Sequence, residues 1–215
     1  MLISTDELIE SLTSDVPRVT PHALLKRVGF GIVVGSLVTV ALVTAVLGVR
    51  PDIQAAMHGF SFWMKWIYTG SVGVCTTYAV TQLARPTPVS LRALWLLAVP
   101  IFMLLGIAIG ELAATAPANW LPMWLGRSWR ICPWLVLTLA APIYAGLLWS
   151  FRRLAPTRLR AAGATAGLAA GAWASTIYCL HCPEASAAFV LTWYTLGILL
   201  AASLGALLGP RLMRW

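Results

Sequence analysis

The chain has 215 residues, of which 60% are hydrophobic and 10% are charged, whereas an ordinary soluble domain has roughly 25% charged residues. Together with a mean hydropathy of +0.83, this composition excludes a free-standing soluble enzyme. A bilayer crossing needs about 20 apolar residues, so six crossings would leave only short loops and termini. The net charge of +8 does not indicate nucleic-acid binding, because the basic residues fall in small groups between apolar runs.

The chain begins with an acidic leader, residues 1–27, which holds four of the seven acidic residues. Ser4 and Glu7 have the spacing of a capping box, and the pattern predicts a short helix from about Thr5 to Thr13. Such a helix is too short to be stable alone in water. Its acidic character favours a basic, grooved protein partner over an anionic membrane, although a fraying or membrane-resting helix stays an alternative. Its apolar side consists of Leu8, Ile9 and Leu12.

Long apolar runs after the leader predict an all-α integral membrane bundle of six transmembrane helices, residues 28–208, followed by a cytoplasmic tail at 209–215. The runs are separated by clusters of Arg, Pro and Trp, and only Lys65 and Glu111 lie inside them as charged residues. The predicted spans are 28–49, 61–83, 93–113, 131–150, 161–180 and 187–208.

Basic residues predict the orientation of this bundle. An even number of spans puts both termini on one side, and eleven of the fifteen Lys and Arg residues fall on that side. Positively charged loops resist translocation, so both termini are expected to be cytoplasmic. No cleaved signal peptide is visible, and the first span is expected to act as a signal anchor. Lys65 is counted among the outer residues and is expected to reach outward beside Trp63 and Trp66.

Glycines recur four residues apart in several of the runs, which predicts close packing of helix backbones. Packing within one bundle is the first interpretation, and dimerisation is the alternative. The glycines concerned are Gly31 and Gly35, Gly106 and Gly110, Gly163, Gly167 and Gly171, and Gly205 and Gly209.

Three of the four cysteines are predicted to share the outer membrane level: Cys132 starts the fourth span, and Cys179 and Cys182 end the fifth. A thiol beside Arg130 or His181 would be deprotonated more easily and would react with oxidants. Alternatively, the set could hold zinc or another thiophilic metal, although nothing in the sequence requires a cofactor. The candidate metal donors are Cys132, Cys182, His181 and Glu184. Cys75, inside the second span, is interpreted as a structural filler.

Glu111 lies near the outer end of the third span, where a carboxylate is costly and needs a polar partner. Arg127, Arg130 or the region of His181 is the expected partner. A structural link between helices and a role in sensing are both open for this residue.

Several motifs resemble the NrsF type of bacterial membrane anti-sigma factor. They are the leader sequence TDELI at 5–9, SWRICP at 128–133, HCPE at 181–184 with Phe189 and WYTLG at 193–197, and the ending GPRL at 209–212. The resemblance covers essentially the whole chain, and the Cys-Pro-Glu segment is its most specific part.

The resemblance implies an inner-membrane regulator, not an enzyme. Its cytoplasmic N-terminal segment would sequester an extracytoplasmic-function sigma factor, without direct contact to nucleic acid. Heavy metal or oxidant acting on two outward-facing cysteines, Cys132 and Cys182, would release that factor. Cys179 is an addition to the family pattern, and a Cys179–Cys182 link would compete with the pair. Accessory roles at the cysteines would fall to Cys179, His181, Glu184, Glu111 and Arg130. The implied sigma-factor contacts are Asp6, Glu7, Leu8, Ile9, Glu10 and Leu12.

Two other classes of function compete with this interpretation. A membrane thiol-disulfide oxidoreductase at the periplasmic face would use the same cysteines, but it usually needs two cooperating cysteine pairs. A small transporter would need polar residues deep in the bilayer, and the spans contain almost none.

Overall fold

The computed structural model describes residues 4–14, 23–84, 95–152, 156 and 158–213, with the backbone alone for 12–14. Within these ranges all of the regular secondary structure is helical. A π-helical turn, Val43–Leu47, extends α2 (Ala23–Leu42), and a second one, Val190–Tyr194, joins α9 (Ala187–Phe189) to α10 (Thr195–Leu212). The helices are α1 Thr5–Ser14, α2 Ala23–Leu42, α3 Ile53–Met57, α4 Phe60–Leu83, α5 Ala98–Ala114, α6 Trp120–Leu125, α7 Cys132–Phe151, α8 Leu159–Tyr178, α9 Ala187–Phe189 and α10 Thr195–Leu212.

Helix α1 confirms the prediction made for the leader. The Ser4 backbone N–H donates to Glu7 Oε2 at 3.1 Å, and the Glu7 N–H donates to Ser4 Oγ at 3.2 Å. These reciprocal bonds form the predicted capping box and satisfy two N–H groups that a helix start leaves without partners.

Four helical segments of the described chain are long and apolar enough to cross a membrane. They correspond to the first, third, fourth and sixth predicted spans. The second and fifth predicted spans form α4 and α8, which are as long but less apolar, so the prediction of six membrane helices is supported for four of them. The four candidate spans are Ala23–Leu47, Trp95–Ala114, Cys132–Phe151 and Ala187–Leu212.

The lower apolarity of α8 follows from its position at the centre of the bundle. It packs most extensively on α10 and also contacts α4, α7 and α2. Because α8 is surrounded by other helices and not by lipid, close packing requires small side chains more than strongly apolar ones. Most of its residues are Ala or Gly. A Cβ built at Gly171 would lie 3.0 Å from the Cα of Ile198, so this helix pair owes its close approach to missing side chains.

Helix α4 is less apolar because it buries polar side chains. Thr69 and Thr76 are fully buried, and each donates its hydroxyl to a carbonyl four residues earlier, at 2.9 and 2.7 Å. Such local bonds let threonine lie inside a helix bundle without an unsatisfied hydroxyl. Lys65, also on α4, is buried as well.

The long helices alternate in direction, so that two ends of the bundle can be distinguished. The cysteine end contains Gly48, Lys65, Glu111 and residues 179–187, which are joined by hydrogen bonds. It also contains Cys132, whose backbone N–H donates to the carbonyl of Ser128, a residue bound to Glu184. At the opposite end, where α2 begins, the hydroxyl of Ser150 donates to the carbonyl of Arg27 at 3.0 Å. Several of the basic residues used to predict orientation, Arg18, Arg85, Arg92, Arg153 and Arg214, lie outside the described residues.

The glycines that recur four residues apart lie in two different environments. Gly31, Gly163, Gly167 and Gly205 each contact the backbone of a neighbouring helix so closely that a Cβ would collide with it, which confirms packing within one bundle. The pair on α5, Gly106 and Gly110, is different. A Cβ at either position meets no atom of the described chain within 4 Å.

Candidate functional site

Residues 179–184, called here the cysteine turn, connect α8 with the helical run that starts at Ala187. The turn is held by hydrogen bonds from three other parts of the chain. These come from the loop after α2, from α4 and from the loop before α7. It is therefore the junction where most of the bundle meets at the cysteine end.

Lys65 provides the most unusual of these bonds. Its ammonium group donates to the carbonyl of Cys182 at 3.0 Å and to the carbonyl of Glu184 at 2.6 Å, and the residue is only 1% exposed. The prediction that Lys65 reaches outward was wrong. The two carbonyls supply inside the protein the hydrogen bonds that a buried ammonium group needs.

The loop after α2 contacts the turn at two points. The Arg50 backbone N–H donates to the carbonyl of Leu180 at 3.0 Å. Nδ1 of His181 lies 2.9 Å from the carbonyl of Gly48. Arg50 also forms an ion pair with Asp52, and its hydrogen bond lowers the pKa of that carboxyl group. The turn is thereby connected to the end of α2 that lies farthest from the leader.

Glu184 closes the turn by binding the loop before α7. Its Oε1 accepts the backbone N–H of Arg127 at 2.7 Å and the N–H and hydroxyl of Ser128, both at 3.2 Å. Gly126 makes this approach feasible, because its φ is +58° and a Cβ there would lie 2.7 Å from Glu184 Oε2. Glu184 is thus a structural clamp at the entrance to α7.

Of the three partners expected for Glu111, the region of His181 provides the one that is observed. Its Oε2 accepts the hydroxyl of Ser186 at 3.0 Å and the N–H of Ala187 at 2.7 Å. The carboxylate therefore binds the N-terminus of the last helical run, where negative charge is favourable. None of these bonds comes from Arg127 or Arg130. Arg130 is exposed, and its guanidinium carbon lies 5.1 Å from the centroid of the Trp129 ring.

We expect Glu111→Ala to lower the free energy of unfolding by about 2 kcal/mol, because a charge-assisted hydrogen bond contributes about 1.5–3 kcal/mol. Glu111→Gln keeps one acceptor oxygen and should lose less. Thermal unfolding of both variants in detergent measures the difference. Equal stability of Glu111→Ala and the unsubstituted chain would show that this carboxylate is not a helix-end link.

All three cysteines predicted to share one level lie together at the cysteine end, and Cys132, Cys179 and Cys182 are each 0% exposed as free thiols. The Lys65 ammonium group lies 3.0 Å from the carbonyl of Cys182, whereas the guanidinium group of Arg130 lies over the ring of Trp129. Burial disfavours a charged thiolate, so these thiols are shielded at rest instead of being poised at the surface.

The alternative of a resident metal receives no support from the geometry. Among the residues that the structure describes, no three or more His, Cys, Asp and Glu side chains are grouped to hold a metal ion. Nδ1 of His181 faces the carbonyl of Gly48, and Glu184 binds the loop before α7. Cys75 is partly buried on α4, 4.0 Å from the carbonyl of Leu96.

The sequence interpretation did not place Lys65 and Tyr194 at the cysteine turn. Lys65 carried a signal, since a lysine within an apolar run is expected to have a partner. Tyr194 carried none beyond its place in a family motif. Its side chain is fully buried, as is that of Ser175.

The leader forms the second candidate site. Leu8 is 47% exposed and Ile9 is 54% exposed. Both lie on α1, whose first turn is acidic. Asp6, Glu7 and Glu10 are exposed as well. The side chain of Leu12 lies outside the described part of the chain. An exposed apolar pair beside carboxylates has the composition of a surface that binds an apolar groove with a basic rim.

Comparisons with known proteins agree with the motifs. Residues 12–215 match the family model NrsF, described as negative regulator of sigma F. The probable anti-sigma-F factor NrsF of Azospira oryzae is 35% identical over 216 residues, with 99% of this chain and 100% of the relative covered. The anti-sigma-F factor NrsF of Caulobacter vibrioides is 37% identical over 213 residues, with 98% and 99% covered. No solved structure matches. The chain belongs to the NrsF family of negative regulators of sigma F.

Proposed function

We propose that this chain is an anti-sigma factor that holds an extracytoplasmic-function sigma factor at the bacterial inner membrane through its leader. Reaction of Cys132 and Cys182 with heavy metal or oxidant releases the factor. The observation that carries the proposal is the pair Leu8 and Ile9, exposed on an acidic helix in a chain with four candidate membrane helices. Family membership supplies the sigma factor as the partner class.

In this proposal the membrane domain crosses the bilayer six times, over residues 28–208. Helices α4 and α8 are 24 and 20 residues long, which is enough to span, and both pack against other helices of the bundle. The leader, residues 1–27, and the tail, residues 209–215, then lie in the cytoplasm with most of the Lys and Arg residues. The cysteine end lies on the periplasmic side, where disulfides persist.

Helix α7 offers a route from the cysteines to the leader. It begins at Cys132 and packs along α2, with Gly146 against Gly31 and with the hydroxyl of Thr39 donating to the carbonyl of Leu139 at 3.0 Å. Helix α2 begins at Ala23, directly after the segment that carries α1. A shift of α7 caused by a new bond at Cys132 is therefore passed to the helix that bears the leader. The signal acts because the two arrangements of the bundle differ in affinity for the sigma factor.

The geometry favours Cys132–Cys182 as the pair that responds. Cys132 and Cys182 are both fully buried at the cysteine end, and a bond between them would join α7 to the cysteine turn. A link between Cys179 and Cys182 would stay within one segment and move no helix. Complete burial of the thiols argues against the oxidoreductase alternative, because a substrate disulfide must reach the attacking thiolate.

Replacing Cys132 and Cys182 by serine tests the sensing step. We expect sigma-dependent transcription to stay repressed in the double variant when metal or oxidant is added, because the leader is intact and the reacting thiols are absent. Cys75→Ser serves as the matched control, since Cys75 lies on α4 away from the turn, and its induction should be normal. Unaltered induction in the double variant would refute sensing by this pair.

A further inference from the structure

The end of the bundle opposite the cysteines carries positive charge that the bundle itself does not balance. Acidic residues after the leader are three in number, Asp52, Glu111 and Glu184, and all three belong to the cysteine end. Exposed basic side chains lie at the opposite ends of α2, α7, α8 and α10, and they are Lys26, Arg152, Arg158, Arg160 and Arg211. This end therefore favours an anionic partner from outside the membrane domain.

Arg27 lies where the apolar surface of α2 ends. Phe30 is 59% exposed, and the exposed residues Val33, Val34 and Leu37 continue from it along the helix. In a membrane helix such a row faces the acyl chains of the lipid. Arg27 comes three residues before Phe30 on the same helix, so it lies one turn beyond the apolar row, at the level of the headgroups.

Helix α7 gives the same depth independently. Its exposed row is Trp134, Thr138, Ala141, Ala145 and Trp149. The two tryptophans lie about 22 Å apart along the helix axis, at a rise of about 1.5 Å per residue. Tryptophan is enriched at both membrane–water interfaces, so Trp149 marks the interface at the end opposite the cysteines.

Arg27 is held against Trp149. Its guanidinium carbon lies 4.7 Å from the centroid of the Trp149 ring, and that ring lies 5.9 Å from the ring of Phe30. The hydroxyl of Ser150 donates to the carbonyl of Arg27 at 3.0 Å, which fixes the backbone of α2 to α7 at this point. Among the described residues the guanidinium group has no carboxylate partner, and its Nε is buried without a hydrogen bond. The cation is thus positioned by the protein without being neutralised by it.

The chemistry of this cluster matches a phosphate group at a lipid surface. A guanidinium group binds phosphate oxygens through its planar fork of N–H donors. Basic side chains at the cytoplasmic surface of a membrane attract anionic lipids. Exposed rings beside the cation suit acyl chains, because Phe30 and Trp149 both lie in rows that face lipid. A phospholipid supplies both parts in one molecule.

We propose that Arg27 and Trp149, with Lys26 and Arg152 beside them, bind the phosphate headgroup of an anionic phospholipid of the inner leaflet. The acyl chains lie along Phe30 and the apolar row of α2. The lipid joins the beginning of α2 to the end of α7, the two helices that carry the signal in the proposed function, and stabilises their contact. The inference rests on the membrane placement in that proposal, but it is measured without a sigma factor and without cysteine chemistry.

The test measures binding of phosphatidylglycerol to the purified full chain in detergent by native mass spectrometry, with zwitterionic phosphatidylcholine as the comparison. Arg27→Gln is the test variant. Arg130→Gln is its matched control, because the guanidinium carbon of Arg130 lies 5.1 Å from the centroid of the Trp129 ring near the cysteine end. Each substitution removes one positive charge from an arginine that lies over a tryptophan ring. Arg27→Lys keeps the charge but not the planar fork.

We expect the unsubstituted chain to bind phosphatidylglycerol more tightly than phosphatidylcholine. Arg27→Gln should weaken phosphatidylglycerol binding by about tenfold, the effect of losing one hydrogen bond to a charged group, and Arg27→Lys should weaken it less. Arg130→Gln should stay within about twofold, since exposed charges at a distance are screened. Phosphatidylglycerol should raise the midpoint of thermal unfolding, because a ligand of the native state stabilises it, whereas inorganic phosphate at the same concentration should not.

Equal losses in Arg27→Gln and Arg130→Gln would show attraction by total charge and would overturn the inference, as would equal binding of the two lipids. An equal rise in the unfolding midpoint with inorganic phosphate would overturn the assignment to lipid. Should Arg27→Gln fail to fold, undiminished phosphatidylglycerol binding by both Arg27→Lys and Trp149→Leu would refute the site. Such failures leave sigma-factor binding by the leader intact, whereas normal lipid binding without recovery of a sigma factor would refute the proposed function alone.

Discussion

Gly146→Leu is expected to destabilise the bundle by about 3 kcal/mol or more, at the upper end of the effects of overpacking. The glycine faces Gly31 of α2, and a Cβ at Gly146 would collide with the carbonyl oxygen of Gly31. The obstructing atom belongs to the backbone, so no side chain can move aside, and α2 and α7 must separate. Thr39 and Ser150, which hydrogen bond across the same pair of helices, would lose their geometry as well.

Gly106→Leu is the matched control, because it makes the same change at a helical glycine whose Cβ meets no described atom within 4 Å. We expect its effect on the midpoint of thermal unfolding in detergent to be small, since leucine also has the higher helix propensity. Equal destabilisation by the two substitutions would contradict the importance assigned to the contact between α2 and α7.

The double substitution Leu8→Asp and Ile9→Asp is expected to weaken sigma-factor binding by about a hundredfold or more. Both side chains are about half exposed on α1, and loss of a central apolar anchor at a protein interface costs about 2 kcal/mol. Added carboxylates would also have to enter the apolar groove of the partner. Binding of the purified sigma factor to the chain in detergent measures the change.

Ser11→Asp is the control for the leader. It adds a carboxylate to the same helix without removing an apolar anchor, so its effect on affinity should stay below about tenfold. A comparable loss of binding from Ser11→Asp would indicate that helix formation or total charge, and not the apolar pair, determines recognition.

The apolar runs were sufficient to locate all six long helices, because lipid-facing and buried positions both require apolar or small residues. When the π-helical turns and α9 are counted with α2 and α10, each long helix begins and ends within about five residues of its predicted span. Composition alone determines the number of spans less well. Helix α8 is surrounded by other helices and consists mainly of small residues, so its apolarity is lower than that of the four candidate spans. The capping box at Ser4 was predictable because it is a local pattern.

The partners of polar residues were not predictable in the same way. Glu111 binds Ser186 and Ala187, which are 75 and 76 residues away in the chain, and the sequence indicated only the region of His181 as one of three possible partners. Lys65 was assigned to the membrane surface because lysine side chains commonly extend to it. Its carbonyl partners exist only once the cysteine turn has formed. Long-range pairing of this kind is set by the packing of whole helices.

The most direct test of the central claim, that the leader holds a sigma factor at the membrane, is co-purification from membranes of the native host. The full chain and the chain with Leu8→Asp and Ile9→Asp are each tagged, solubilised and isolated, and bound proteins are identified by mass spectrometry. We predict that a sigma factor is recovered with the full chain and lost with the substituted one, while both chains are present in the membrane in equal amounts. Equal recovery with both chains, or no sigma factor with the full chain, would contradict the claim.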